Sequence, residues 1–383
     1  EFQHRPTPDY FQSFGLGFYE YFQLCEDIGA EPLPILNCGM ACQFNSGELC
    51  PVDDLQPYIQ DALDLIEFAN GGTDTVWGAK RAALGHPEPF HLKMLGVGNE
   101  QWGQQYIDRY TKFAKALKAK YPDIQLVAAA GPSPADDRFQ FAWSKFRGLH
   151  ADIIDEHCYD RPEWFFANTH RYDDYDRNGP KVFMGEYAAQ SDKVVSVKNR
   201  NTLGCALAEA AYMTGMERNA DVVRMASYAP LFANTEAWQW TPDLIWVNSL
   251  NVCETPNYYV QQLFSCNRGD EILPVQLEGM ETSGAGVQNV YASATRDEKT
   301  GEIIVKIVNP GQDKQKVHIV LGGAQHVSSD ATELVLSGPL TAENVIDQPK
   351  QISPVQSTIR NAARRFSCTF EPHSFTVLRI KAE

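Results

Sequence analysis

A chain of 383 residues exceeds one ordinary core, so two domains are expected, although one barrel alone can exceed about 200 residues. Its 43% hydrophobic and 21% charged residues are the mixture of a globular protein. A net charge of −16 argues against the basic surface that nucleic acid or anionic lipid requires, and leaves a neutral ligand compatible.

In chain order, Phe14 to Ile28 reads as a helix, with Leu16, Tyr19, Phe22 and Leu24 toward one side and Gly29 as its stop. Pro32 to Leu36 reads as a buried strand running into Asn37-Cys38-Gly39, although two prolines weaken it. Residues 54–70 carry Leu55, Tyr58, Ile59, Ala62, Leu63 and Ile66 at helical spacing, and Asn70-Gly71-Gly72 ends them, since glycine accepts the left-handed conformation past a helix terminus. Leu92 to Val97 is a strand, Tyr106 to Leu117 an amphipathic helix, and Ile124 to Ala130 the next strand. Phe139 to Leu149 is helical, and Ile153-Ile154 leads a strand into His157. Val182 to Met184 is a strand, 200–216 a small-residue helix, Val222 to Ala226 a strand and Tyr258 to Phe264 a last helix. Strand–helix alternation of this pitch predicts a parallel sheet, with six strand–helix units where a closed (β/α)₈ barrel has eight. After about residue 270, short strands at 291–295, 303–308, 317–321, 334–336, 366–370 and 375–380, split by turns such as Asn309-Pro310-Gly311, predict an antiparallel β-sandwich. The expected division is a barrel domain over 1–268 and a sandwich over 269–383.

Nine cysteines cannot all pair within the chain, and none shows zinc-finger spacing; a Cys42–Cys50 bridge is open in an oxidising compartment. Most of the 7 Trp, 16 Tyr and 20 Phe are expected in the core, with some free to face a sugar ring. The chain opens on Glu1, not Met, which fits removal of a targeting segment; a periplasmic or secreted location is expected, with a cytoplasmic one as the alternative. Phosphate-binding loops, an HExxH metal motif and a GxSxG elbow are not found, and no metal constellation is visible.

Two glutamates follow short apolar runs. Glu100 closes Met94-Leu-Gly-Val-Gly-Asn-Glu100, and Glu186 closes Val182-Phe-Met-Gly-Glu186. Carboxyls delivered at the C-terminal ends of barrel strands are what cleavage of a glycosidic bond requires, one protonated and one ionised. A carboxylate at a strand end also serves as a helix cap or ion-pair partner; a second one after a later strand of a parallel pattern favours the chemical reading. Asn99 can donate to a hydroxyl beside the anomeric carbon, and Trp102 can wall the cleft. Tyr187 follows the second glutamate, while Tyr159, in Glu156-His157-Cys158-Tyr159, can reach its carboxylate. His157 is expected to line the site because it falls at a strand end, and His86, before a strand, is expected in a rigid turn away from it.

Gly85-His-Pro-Glu-Pro-Phe90, Gly98-Asn-Glu-Gln-Trp-Gly103 and Met184-Gly-Glu-Tyr187 resemble the family 51 glycoside hydrolases, chiefly α-L-arabinofuranosidases of the retaining clan A barrels. Tyr228-Ala-Pro-Leu-Phe-Ala-Asn234, Gln239-Trp240 and Pro372-His-Ser-Phe-Thr-Val-Leu-Arg379 are similar to the family's eighth-strand segment and last sandwich strand. The resemblance implies Glu100 as acid/base and Glu186 as nucleophile, with Asn99 near the furanose 2-hydroxyl. His157 and Tyr159 would match its His-x-Tyr, and Asn37 a third-strand polar residue. It implies terminal arabinofuranosyl units of arabinan and arabinoxylan as substrate, and no metal or organic cofactor. It also implies that the first two barrel strands precede Glu1, so a second chain, a swapped partner or a further segment is expected to complete the barrel, and a homo-oligomer is one way to do so. The competing readings are an endo-glucanase or other β-glycosidase of the same clan, and a truncated, non-catalytic carbohydrate-binding fragment.

Overall fold

The computed structural model describes residues 2–3, 11–12, 15–279, 281–282 and 286–382. A two-residue antiparallel ladder pairs Phe2–Gln3 with Phe11–Gln12. Six strands then lie in one sheet in chain order: β1 (Ile35–Leu36), β2 (Met94–Val97), β3 (Gln125–Ala129), β4 (Ile153–Asp160), β5 (Lys181–Ala189) and β6 (Val223–Tyr228). The registers of β1 to β4 are parallel. Parallel neighbours need a crossover, and the helices supply it: α1 (Phe18–Ile28) precedes the sheet, and α2 (Gln56–Asn70), α3 (Val76–Ala83), α4 (Gln104–Lys120), α5 (Asp137–Gly148), α6 (Pro162–Ala167), α7 (Leu203–Arg218) and α8 (Pro256–Cys266) follow. A sheet wound in chain order with helices between its strands is the wall of a TIM-like barrel.

Two compact units divide the chain. The first is Glu1–Cys158 with Asp176–Gly185, and the second is Tyr159–Tyr175 with Glu186–Glu383. In the first, α2 buries Ile59, Ala62, Ile66 and Ala69, and α4 buries Tyr106, Ile107, Tyr110, Phe113 and Leu117, as their spacing requires. Asp136 caps α5 by accepting from the Phe139 N–H at 3.0 Å. The Pro32–Leu36 strand shrinks to Ile35–Leu36, because Pro32 and Pro34 have no N–H to give the ladder. The first helix begins at Phe18, and Phe14 lies outside the described residues.

The end of α2 differs from expectation. Gly71 has φ −67° and ψ 147°, not a left-handed conformation. A fully buried Arg81 takes up carbonyls at that helix end and ties them to a later turn: its guanidinium donates to Phe68 O at 2.5 Å and to Gly71 O and Pro87 O at 2.8 Å, while Nε donates to His86 O at 3.0 Å. That fixes the Gly85–Phe90 turn. His86 is tied there through Glu88 O and Glu26 and stacks on Phe90, so it is a structural histidine.

In the second unit, a small sheet ordered β9-β8-β7 joins β7 (Phe232–Asn234), β8 (Ile245–Val247) and β9 (Val252–Glu254). The sandwich follows as β10 (Glu271–Leu273), β11 (Tyr291–Asp297), β12 (Glu302–Asn309), β13 (Gln315–Val320), β14 (Val327–Ser337), β15 (Val355–Ile359), β16 (Arg365–Phe370) and β17 (Ser374–Ala382). Its sheets run β10-β11-β12-β17-β14-β15 and β13-β16. Between them lie Val305, Ile307, Leu378, Ile380, Phe366 and Phe370. The opposite face of β12 is buried too: Ile304, Lys306 and Val308 are fully covered, and the Lys306 ammonium meets Glu217 of α7 at 2.5 Å. Burial on both faces explains why this strand reads as a nearly unbroken apolar run.

Candidate active site

Glu100 sits at the end of β2 because the chain turns sharply there. Gly98 has φ +76°, and a Cβ on it would fall 2.9 Å from Cys38 Sγ and 3.1 Å from Tyr106. Glu100 itself has φ +57°, uncommon for a residue with a side chain. The turn is held from both sides. Gln101 accepts from the Asn99 N–H, and the buried Tyr106 hydroxyl donates to Val97 O at 2.6 Å while accepting from the Ala129 N–H at 2.8 Å. One phenol therefore ties the end of β2 to the end of β3.

Along β4, residues 155, 157 and 159 share one face, since strand side chains alternate. His157 is buried and both its ring nitrogens meet carboxylates: Nδ1 lies 3.0 Å from Glu100 Oε1, and Nε2 lies 3.1 Å from Asp155 Oδ2. Asp155 keeps its other oxygen buried without a hydrogen-bond partner among the described residues. Gly185 makes room for that carboxylate, because a Cβ there would overlap Asp155 Oδ1 and lie 2.8 Å from its Cγ. Glu156, on the opposite face, takes the Trp143 indole N–H at 3.0 Å. With both nitrogens engaged by carboxylates, His157 is arranged to relay or orient a proton.

The next unit carries Glu186. Tyr159 donates its hydroxyl to Glu186 Oε2 at 2.7 Å, and its ring meets Trp240 edge-on at 5.2 Å. Trp240 Nε1 and Gln239 Nε2 are buried donors without an acceptor among the described residues. Tyr187 turns its hydroxyl to Gln261 at 2.8 Å, so it supports the strand rather than Glu186. Burial pushes the Asp243 carboxyl up to about 7.

Of the residues singled out in the sequence, Glu100 is brought to His157, and Glu186 to Tyr159. Trp102 packs on Phe44 at 5.0 Å under the Arg138 guanidinium at 4.8 Å, and its backbone N–H donates to Gln43 Oε1 at 2.8 Å. Asn99 is exposed beside Glu100. Asn37 accepts from the Gly39 N–H at 2.8 Å, closing a local turn, with an exposed side chain. Asp155 was missed: it reads as one polar residue within a strand, and its period-two relation to His157 was the only available signal. All nine cysteines are free thiols, Cys42 and Cys50 included. Among the described residues no helix is long and apolar enough to cross a membrane.

Two family models match, the α-L-arabinofuranosidase 1 domain over residues 3–177 and the α-L-arabinofuranosidase C-terminal domain over 185–374. An extracellular exo-α-L-arabinofuranosidase of Streptomyces chartreusis is 49% identical over 269 residues, covering 69% of this chain and 31% of that protein. α-L-Arabinofuranosidase 2 of Arabidopsis thaliana is 35% identical over 381 residues, covering 98% of this chain and 53% of its own. The solved structure of arabinose-bound MgGH51 α-L-arabinofuranosidase matches with a TM-score of 0.88 at 35% identity, over 98% of this chain and 58% of that one. The chain thus spans about half the length of the plant relative and about a third of the Streptomyces one.

Proposed function

This chain belongs to the α-L-arabinofuranosidases of glycoside hydrolase family 51, and from that premise we propose that it is a retaining glycosidase releasing terminal α-L-arabinofuranosyl units from arabinan- or arabinoxylan-type chains. Glu186 attacks the anomeric carbon as that carbon's bond to the leaving oxygen breaks, and Glu100 gives its proton to that oxygen. Water then attacks the glycosyl ester, Glu100 takes a proton from it, and Glu186 leaves as a carboxylate.

The observation that carries the reading is the 2.7 Å hydrogen bond from Tyr159 to Glu186. A hydroxyl donor keeps a carboxylate ionised and aimed. His157, between Asp155 and Glu100, can pass hydrogen-bonding roles from one carboxyl to the other: in the tautomer that donates through Nε2 to Asp155, Nδ1 is an acceptor for the proton that Glu100 must carry as the acid. These contacts support Glu186 as the nucleophile and Glu100 as the acid/base. Asn99, Trp102 and the unsatisfied donors of Gln239 and Trp240 bind the sugar in this reading, and Asn37 shapes the rim. The reaction needs no metal or cofactor. Among the described residues the sheet has six strands where a closed barrel has eight, and in this reading two more, from another segment or a second chain, would complete it. A secreted setting fits the relative named extracellular.

The test uses 4-nitrophenyl α-L-arabinofuranoside and the matching β-glucoside. Glu186→Ala should abolish arabinofuranoside turnover with the fold intact. Glu100→Ala should lose turnover and regain it with azide, yielding a glycosyl azide. Undiminished turnover in Glu186→Ala, or glucoside turnover alone in the parent chain, overturns the proposal.

A further inference from the structure

We infer that Glu209, a carboxyl on α7 that the chemistry above does not use, is a positioning residue for the strand that carries Glu186, acting as the common acceptor of a one-directional hydrogen-bond chain that starts at the Trp246 indole. The inference rests on Glu186 being the nucleophile.

Glu209 is fully buried, and among the described residues no Lys, Arg or His bonds it. Its Oε1 accepts the Ala189 N–H at 2.8 Å, and Ala189 is the last residue of β5, three beyond Glu186. Its Oε2 accepts the Asn257 Nδ2 at 2.8 Å, in the first turn of α8. Asn257 Oδ1 in turn accepts Asn201 Nδ2 at 3.1 Å, and Asn201 also donates to the Tyr228 hydroxyl at 3.1 Å, at the end of β6. Asn201 Oδ1 accepts the Trp246 Nε1–H at 3.2 Å, from β8.

The two ends of this chain can only donate. An indole N–H and a peptide N–H have no acceptor atom, so every amide between them is forced into one orientation. Trp246 turns Asn201 Oδ1 toward itself, Asn201 then presents its NH₂ to Asn257, and Asn257 presents its NH₂ to residue 209. Residue 209 therefore receives donors from both sides. A carboxyl offers an acceptor oxygen to each, in either protonation state. An amide offers one oxygen and one NH₂, so one of its ends meets another donor. The loser is either the Asn257 side chain or the Ala189 peptide, and a buried peptide N–H facing a donor moves the end of β5. Small displacements at a reacting group cost rate rather than affinity for substrate.

The experiment compares Glu209→Gln with the exchanged pair Glu209→Gln plus Asn257→Asp, which returns an acceptor to face the new NH₂ without altering any shape. Two readouts are taken: hydrogen exchange at the Ala189 peptide, and kcat and KM on 4-nitrophenyl α-L-arabinofuranoside. Glu209→Gln is expected to speed Ala189 exchange at least about tenfold and lower kcat by about 10- to 100-fold with KM nearly unchanged. The exchanged pair is expected to recover most of both. Trp246→Phe added to Glu209→Gln is expected to recover part of both, because the amides can then turn over. If Glu209→Gln keeps parental exchange and kcat, or if neither double variant improves on it, the inference is wrong. Should Glu209→Gln not fold, the exchanged pair still decides: parental exchange at Ala189 supports the chain, and failure to protect it overturns it. An active Glu186→Ala would instead sink the assignment beneath, whatever Glu209 does.

Discussion

Gly185→Ala adds one methyl group beside Glu186, and the structure says what it meets. The new carbon would overlap Asp155 Oδ1, with Cγ at 2.8 Å and Phe183 Cε1 at 3.0 Å. Carbons need about 3.5 Å, so the Asp155 carboxylate or β5 must shift by about 1 Å. Overfilling a packed site costs about 1–3 kcal/mol. Asp155 also holds His157 Nε2 at 3.1 Å, and displacing it gives up a hydrogen bond to a charged group, about 1.5–3 kcal/mol more. His157 is then free to rotate away from Glu100. The expected result is a fall of several degrees in the unfolding midpoint and a loss of about 100-fold in kcat/KM, measured by thermal unfolding and by initial rates on 4-nitrophenyl α-L-arabinofuranoside. Asp155→Gly in the same chain removes the clash but not the loss of the His157 hydrogen bond, so only part of the stability should return while the rate stays low. Parental stability and rate in Gly185→Ala, or a double variant as unstable as the single, would show that the carboxylate does not depend on the missing side chain.

Tyr159→Phe removes the donor to Glu186 but keeps the ring against Trp240, and kcat should fall about 10- to 100-fold with little change in stability; a rate within twofold of the parent would refute it. Asp243→Asn tests a pH dependence. Burial raises the folded Asp243 carboxyl from 3.8 to about 7, so the folded state binds the extra proton between those values and its advantage, whole below about pH 4, is lost as pH rises to about 7. The parent should therefore lose stability across that window and the variant should lose less of it; parallel curves of unfolding midpoint against pH would count against the assignment. Lys306→Met strands Glu217 without its ammonium inside the second unit, and chemical denaturation should show a loss of about 3 kcal/mol, against which an unchanged midpoint would tell.

Much of this fold is written in local periodicity. The apolar rows of α2 and α4, and the short runs ahead of Gly98 and Gly185, predict helix and strand without knowledge of any neighbour, because the period of burial is a property of one segment. Strands at 291–295 and 375–380 were readable for the same reason. Segments of three residues, such as β7 to β9, carry too few turns of any period to be seen.

By itself the sequence determined the order of strands and helices and put Glu100 just past β2, whereas Glu186, expected just past its strand, falls inside β5, three residues before its end. Packing alone decided the partners. Arg81 gathers four carbonyls where glycines suggested a simple helix end, Asp155 meets both His157 and the bare backbone of Gly185, and Glu209 joins residues 189 and 257. Hydrogen bonds are selected over about 3 Å, whereas the positions they join lie far apart along the chain. Only the folded packing sets a distance of that kind, and no segment read alone contains it.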